Sequence, residues 1–403
     1  MICKIIYYNV GVNVIDYCKW RGDIKLSYDP FNYVDNLLIS YMSYVPLDDA
    51  FRVKDIYTIK ELNDFFNEKE EKDLMDAQSF VASAPNALTA MANTLRFKNA
   101  KVYNYESILH EDSSEQFAAF MMDLDDKTTV VCFRGTDDTI IGWHEDLMIS
   151  YTTTKSQIDA AQYLNKHDKL FKKYRVIGHS KGGNLALYAA VNCKQKVRNK
   201  IIQVISNDGP GLRPNTYDKE AYKQISDRYT KIMPELSVFG IIFDDCENKI
   251  IVKSSNTGIM EHSSASWLCI SNKFETVNEL SRTSQLLKDN LDKFMANTNS
   301  EEREKLVKEI YASFKEANIA NITDFAHGGI PVLLKAFKSA SQIFDGEARE
   351  TLIKLIKVFT DAVAEDLSKT VSSKAEKVKK DATIFVNDTI KNVEGIINNK
   401  NKK

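Results

Sequence analysis

The residues best able to do chemistry lie together in Gly178-His179-Ser180-Lys181-Gly182. A serine hydroxyl is a weak nucleophile until a base takes its proton and its surroundings leave room for a carbonyl to approach. The G-x-S-x-G spacing supplies that room where a strand turns sharply into a helix, because the two glycines remove side chains that would collide across the bend. The flanks suit such a turn. Tyr174-Arg175-Val176-Ile177 reads as an apolar strand, and residues 182–196 carry helical periodicity through Asn184-Leu185-Ala186-Leu187. Ser180 is therefore the expected nucleophile, with the positive end of the following helix aimed at it. The alternative is an ordinary glycine-rich turn.

On a strand-turn-helix nucleophile the partners follow in the order serine, acid, histidine. His262 and His327 lie downstream. His262 is the expected base because it follows the strand pattern at 249–254 across one loop, whereas His327 falls in a helical tail. His110, His144, His167 and His179 read as surface or turn residues. For the acid, Asp208 ends the apolar run 201–206 and enters Gly209-Pro210-Gly211, a turn able to fix a carboxylate at the sheet edge. Asp244, Asp245 and Asp227 are the alternatives, and a purely turn-forming Asp208 is another. An oxyanion needs two preorganised N–H donors. One is expected from Lys181, the residue after the serine, and the other from Thr136, which follows the buried run Val131-Cys132-Phe133 and Arg134-Gly135. A plain loop with Arg134 in an ion pair is the competing reading. No metal or cofactor is implied.

These residues need a sheet to position them. Strand patterns at 101–108, 116–124, 128–133, 174–177, 201–206, 229–233 and 249–254 alternate with helical ones, among them 156–173, where Ile158, Ala161, Leu164 and Leu170 could share a face. The fold class is therefore α/β with a mostly parallel sheet. Six of the seven prolines precede position 235 and all three tryptophans end at Trp267. From residue 273 onward the pattern is helical, with Leu280, Leu286, Leu287, Leu291 and Phe294 in one stretch and Ile353, Ile356, Phe359 and Val363 in another. The expected division is a hydrolase domain at 1–270 and an all-α domain at 271–403.

The 403 residues include 54 basic and 56 acidic side chains, a balance that gives no reason to expect nucleic acid as a partner. The six cysteines show no framework spacing and are expected to be reduced. The start, Met1-Ile2-Cys3-Lys4-Ile5-Ile6, lacks the features of a cleaved secretory signal, and no apolar run reaches the length of a spanning helix.

Arg134-Gly135-Thr136 with Trp143 and Asp146 resembles the signature of class 3 lipases, and this likeness implies Thr136 as an oxyanion-hole residue. A wider set resembles the Mbeg1-like family: Asp16-Tyr17-Cys18-Lys19-Trp20-Arg21-Gly22-Asp23, Asp29-Pro30-Phe31-Asn32, Val34-Asp35-Asn36, the segment 178–186, Asp208-Gly209-Pro210-Gly211, Ser237-Val238-Phe239-Gly240, Gly258-Ile259-Met260-Glu261-His262 and Ser266-Trp267. That family carries Gln where this chain has Glu261. The resemblance implies an α/β-hydrolase acting on lipid esters, of phospholipase A or lipase type. The triad by itself suits a non-lipid esterase or peptidase equally.

A hydrolase followed by a long helical tail also resembles lipase toxins of the bacterial type VII secretion pathway, with an LXG-like domain at the C-terminus. This second likeness implies export without a cleaved signal peptide, small helical secretion partners on 271–403 and an immunity protein. A helical cap, an oligomerisation domain, a membrane-surface segment around 328–359, a non-catalytic scaffold and a bacterial cytoplasmic location are the other expectations.

Overall fold

In the computed structural model, residues 12–68, 84–110, 112, 114–137, 139–318, 332, 343–344 and 346–369 are described. The strands are β1 (Val12–Asn13), β2 (Ile56–Thr58), β3 (Lys101–His110), β4 (Glu115–Asp123), β5 (Thr129–Phe133), β6 (Tyr174–His179), β7 (Ile201–Asn207), β8 (Tyr229–Pro234), β9 (Lys249–Val252), β10 (Leu268–Ile270), β11 (Lys273–Phe274) and β12 (Thr276–Val277). The helices are α1 (Val14–Arg21), α2 (Tyr33–Met42), α3 (Asp48–Val53), α4 (Ile59–Glu68), α5 (Ala84–Ala92), α6 (Ile140–Met148), α7 (Lys155–Lys166), α8 (Lys181–Asn192), α9 (Gln195–Arg198), α10 (Lys219–Ser226), α11 (Arg282–Ala296), α12 (Ser300–Glu316) and α13 (Gly346–Lys369).

Nine strands form one sheet in the order β12-β9-β8-β7-β6-β5-β4-β3-β2. Its centre, β5 to β9, is parallel, and antiparallel pairs flank it on both sides. Side chains alternate across the central strands. Val130, Cys132, Ile177 and Ile205 pack with α1, α2 and α5 on one face, and Val131, Phe133, Val176 and Val204 pack with α7 and α8 on the other. Burial on both faces is why these strands read as continuous apolar runs rather than alternating ones.

The seven strands expected from sequence are all present, but two helical expectations change. Helix α7 ends at Lys166 and buries Ala160, Ala161, Tyr163 and Leu164, while Ile158 and Leu170 are exposed. Tyr163 takes the core position because its ring packs edge-on against Phe133. The helical pattern read from residue 273 begins later. β11 pairs with β10, and β12 pairs with β9 as an edge of the large sheet, so that sheet runs past residue 270 to Val277. Strands of two residues are too short to show a period.

The N-terminal motifs build a buried frame. Asn32 caps α2 in a box with Asp35, and Asp35 is also held by Arg96, by Nε at 2.7 Å and by a closer contact from the other arm of the guanidinium. Tyr17 Oη donates to Asp35 at 3.0 Å, and Arg96 donates further to the carbonyls of Ile24, Asp29 and Pro30.

The tail has its own small core of Phe294, Leu306, Ile310, Phe314, Phe344 and Leu352. Of the apolar residues expected to form its stripes, Leu287 and Phe294 are buried while Leu286 faces solvent. Helix α12 packs on α6, with the Tyr311 ring stacked on His144 at 4.0 Å, and α13 packs on α11 and on the 3-10 turn Gly258–His262. His327, and residues 328–331, 333–342 and 345, lie outside the described residues.

Removing one partner of the Arg96–Asp35 pair strands the other charge in the core. Arg96→Ala is expected to lower unfolding stability by about 3–5 kcal/mol, read from the midpoint of urea denaturation. A midpoint unchanged from wild type would contradict the frame described here.

Candidate active site

β6 is followed by Ser180, whose backbone sits at φ 56° and ψ −130° before α8 begins at Lys181. A non-glycine residue in this region is strained by roughly 1–3 kcal/mol and persists only where its surroundings over-determine it. Here they do. Ser180 N donates to the Asn207 carbonyl at 2.9 Å, and Gly183 N donates back to the Ser180 carbonyl at 2.9 Å. A Cβ on Gly178 would lie 2.2 Å from the Gly182 backbone, and one on Gly182 would lie 2.2 Å from the Phe133 carbonyl oxygen. The bend therefore admits no side chain at either position.

Asp208 follows β7 at φ 49°, fully buried, its N–H donating to the Ile232 carbonyl at 2.7 Å. Both carboxylate oxygens are engaged. Oδ2 accepts from His262 Nδ1 at 2.6 Å, and Oδ1 accepts from the Ser237 hydroxyl and from Gly240 N at 3.1 Å. A carboxylate can only accept, so Nδ1 is the donor in this bond and Nε2 is the ring nitrogen in position to act as a base. The alternatives for the acid are committed elsewhere. Asp244 is buried between Lys231 at 3.1 Å and Lys249 at 2.7 Å, Asp245 accepts from Tyr222 Oη at 2.8 Å, and Asp227 caps the end of α10.

Ser180 is 9% exposed, and His262, at the end of its 3-10 turn, 5%. The Phe239 ring lies 4.3 Å from its imidazole and the His179 ring 4.6 Å. Trp267 Nε1 donates to the Glu261 carbonyl at 2.8 Å, and the Glu261 carboxylate accepts from Leu236 N at 2.9 Å, so this chain's Glu261 ties the turn to the end of β8.

The strand β5 delivers Arg134-Gly135-Thr136 against the same bend. A Cβ on Gly135 would meet the His179 carbonyl oxygen at 2.5 Å. The Thr136 hydroxyl donates to Asp146 Oδ2 at 2.6 Å. Burial pushes the Asp146 carboxyl up to about 6 against the opposing pull of Lys181 and of the Thr136 hydroxyl. Lys181 begins α8, so its backbone N–H is one of the helix's unsatisfied donors.

One sequence expectation is corrected. His179 is a core residue, 1% exposed, rather than a surface or turn residue. Its Nε2 donates to the His262 carbonyl at 2.9 Å, and its Nδ1 accepts from Tyr44 Oη at 2.8 Å. Periodicity could have found it, since it is the last residue of the buried strand β6; polarity hid it. Tyr44, Ser237, Gly240 and Glu145 were likewise missed as contributors, because each acts through a contact distant in sequence. Among the described residues no group of three or more His, Cys, Asp or Glu side chains is arranged to hold a metal ion.

The family model described as Mbeg1-like matches residues 91–312. No curated protein matches the chain. Among solved structures, a fungal lipase–inhibitor complex, described as a model for interfacial activation in lipases, aligns at 16% identity over 62% of this chain and 92% of that one, with a TM-score of 0.32. A triacylglycerol lipase described as having a serine protease triad at its catalytic centre aligns at 15% identity over 55% and 78%, TM-score 0.33, and M37 lipase at 18% over 51% and 69%, TM-score 0.32.

Burial, reinforced by the neighbouring His262, holds His179 well below its ordinary 6.5. The unfolded chain therefore takes up a proton below pH 6.5 that the folded chain refuses, and stability falls with falling pH. Between pH 6.5 and 5 the wild type should lose about 2 kcal/mol more unfolding free energy than His179→Asn. Denaturant titrations at the two pH values read this difference, and parallel losses would contradict it.

Proposed function

The chain belongs to the Mbeg1-like family, and we propose that it is a serine hydrolase of carboxylic esters, acting on lipids of the phospholipase A or lipase type. The single observation that carries this reading is the bond from His262 Nδ1 to a fully buried Asp208, whose turn packs on the peptide of a serine strained at φ 56°.

In this reading Ser180 is the nucleophile. His262 Nε2 removes its proton as the hydroxyl attacks the ester carbonyl, and Asp208 fixes the tautomer and stabilises the imidazolium that forms. The oxyanion is received by the N–H groups of Lys181 and Thr136, the latter oriented through its hydroxyl by Asp146. His262 then returns the proton to the leaving alcohol, and water repeats the sequence to free the acyl group and Ser180. The lipid ester is supported by the class 3 lipase signature, whose threonine and aspartate are hydrogen-bonded here. The division into a hydrolase domain and helical tail, the LXG-like role of that tail and secretion as a toxin belong to the same proposal, with small helical partners and an immunity protein. They are supported by the order of a hydrolase sheet followed by α11 to α13.

Fluorophosphonate should label the wild type once, at Ser180, and Ser180→Ala should be neither labelled nor active. Asp208→Asn should keep the fold and lower kcat by roughly 10³–10⁴-fold. Mass spectrometry of products from mixed phospholipid and triglyceride vesicles identifies the substrate. Undiminished hydrolysis by Ser180→Ala would overturn the assignment.

A further inference from the structure

Lys181 is unusual for a residue one position past a candidate nucleophile, because its charged side chain is wholly buried. Its ammonium donates to the Gln116 carbonyl at 2.8 Å and to Glu145 Oε2 at 2.9 Å. Glu145 is loaded further, accepting from Gln116 N at 3.1 Å, Ser156 N at 3.2 Å and Ser156 Oγ at 2.9 Å. The pair thus ties the first residue of α8 to β4, α6 and the start of α7.

Desolvating two charges offsets most of their attraction, so the charge on the pair adds little net stability beyond the hydrogen bonds that Glu145 accepts. Stability is therefore a poor account of the pair. Its attachment point gives a better one. The Lys181 side chain leaves the same residue whose N–H would face the oxyanion, directly after the strained Ser180 peptide. Helix α6 presents two adjacent carboxylates: Asp146 holds Thr136 and Glu145 holds Lys181, so one helix turn grips both candidate donors.

We propose that the Glu145–Lys181 ion pair is a positioning device that fixes the direction of the Lys181 backbone N–H toward the developing oxyanion. The ammonium, neutralised by Glu145, works by geometry rather than by charge on the substrate. The proposal rests on the reading of Ser180 as nucleophile.

The test compares full-length wild type with Glu145→Leu/Lys181→Met on a soluble short-chain p-nitrophenyl ester. The double variant should still unfold cooperatively but at a lower temperature, because Gln116 N, Ser156 N and Ser156 Oγ lose their acceptor. Its kcat should fall about 30–300-fold, the range for a misplaced oxyanion donor. KM should stay within about threefold and the pH midpoint of kcat/KM should not move, since His262 and Asp208 are untouched. A merely structural pair would move the melting temperature and leave kcat alone. A folded double variant with wild-type kcat overturns the proposal. Should the double variant fail to fold, Glu145→Gln, which keeps the shape and one of the two acceptor oxygens, is measured the same way. A roughly tenfold lower kcat at unchanged KM supports the proposal, and a wild-type kcat overturns it. Fluorophosphonate labelling separates the two readings. A wild type that is not labelled defeats the hydrolase assignment itself, whereas wild type and variant labelled at equal rates defeat the positioning role alone.

Discussion

The backbone of Ser180 is held where a serine does not rest of its own accord, and most of the surrounding sequence can be understood as what keeps it there. The peptide must be gripped from both sides. Asn207 supplies the carbonyl that takes the Ser180 N–H, and Asn207 is itself anchored by Asn36 at 2.8 Å and donates to the Gly178 carbonyl at 3.0 Å. Behind the bend there is no spare volume, so glycine stands wherever the chain crosses itself. The same closeness brings the Asp208 turn into contact with the bend, since a Cβ on Gly209 would lie 2.4 Å from the Ser180 carbonyl oxygen. Strain at one residue thus sets the register of β5, β6 and β7.

Charges in the core do the same work over longer distances. Arg96 with Asp35, Lys181 with Glu145 and Lys231 with Asp244 are each essentially without solvent exposure on both sides. None is an economical source of stability. Each joins elements far apart in sequence and tolerates little displacement. Lys231 shows the pattern: its ammonium donates to the Gly240 carbonyl at 2.8 Å, and the N–H of Gly240 donates to Asp208. A residue that sequence reasoning would place at the surface instead steadies the loop that holds the carboxylate.

What could be read in advance follows from range. The seven strands were legible because each is buried on both faces and flanked by turn residues, and Ser180 because its motif, strand and helix are contiguous. The turn chemistry at Asp208 and the chain order that puts His262 after it were legible, and the structure joins the two side chains. The choice between Asp208 and Asp244 was not, because it depends on which carboxylate finds lysines and which finds an imidazole. The N-terminal helices gave no reading of their own. Their motifs were visible, but their purpose, a cage around Asp35 and an Asn36 that reaches Asn207, exists only once β7 is in place. His179 was misjudged for the same reason, since a histidine reads as polar until Tyr44 and the His262 carbonyl satisfy both ring nitrogens.

Helix α13 rests on the turn that ends in His262, and α12 rests on α6, the helix that carries Glu145 and Asp146. Two bodies in such contact share one set of equilibria. A molecule whose binding to the tail depends on these contacts is coupled to the site only where the site's affinity for its own ligand depends on the same contacts. Reciprocity then requires the site's ligand to alter the tail's affinity by the same factor.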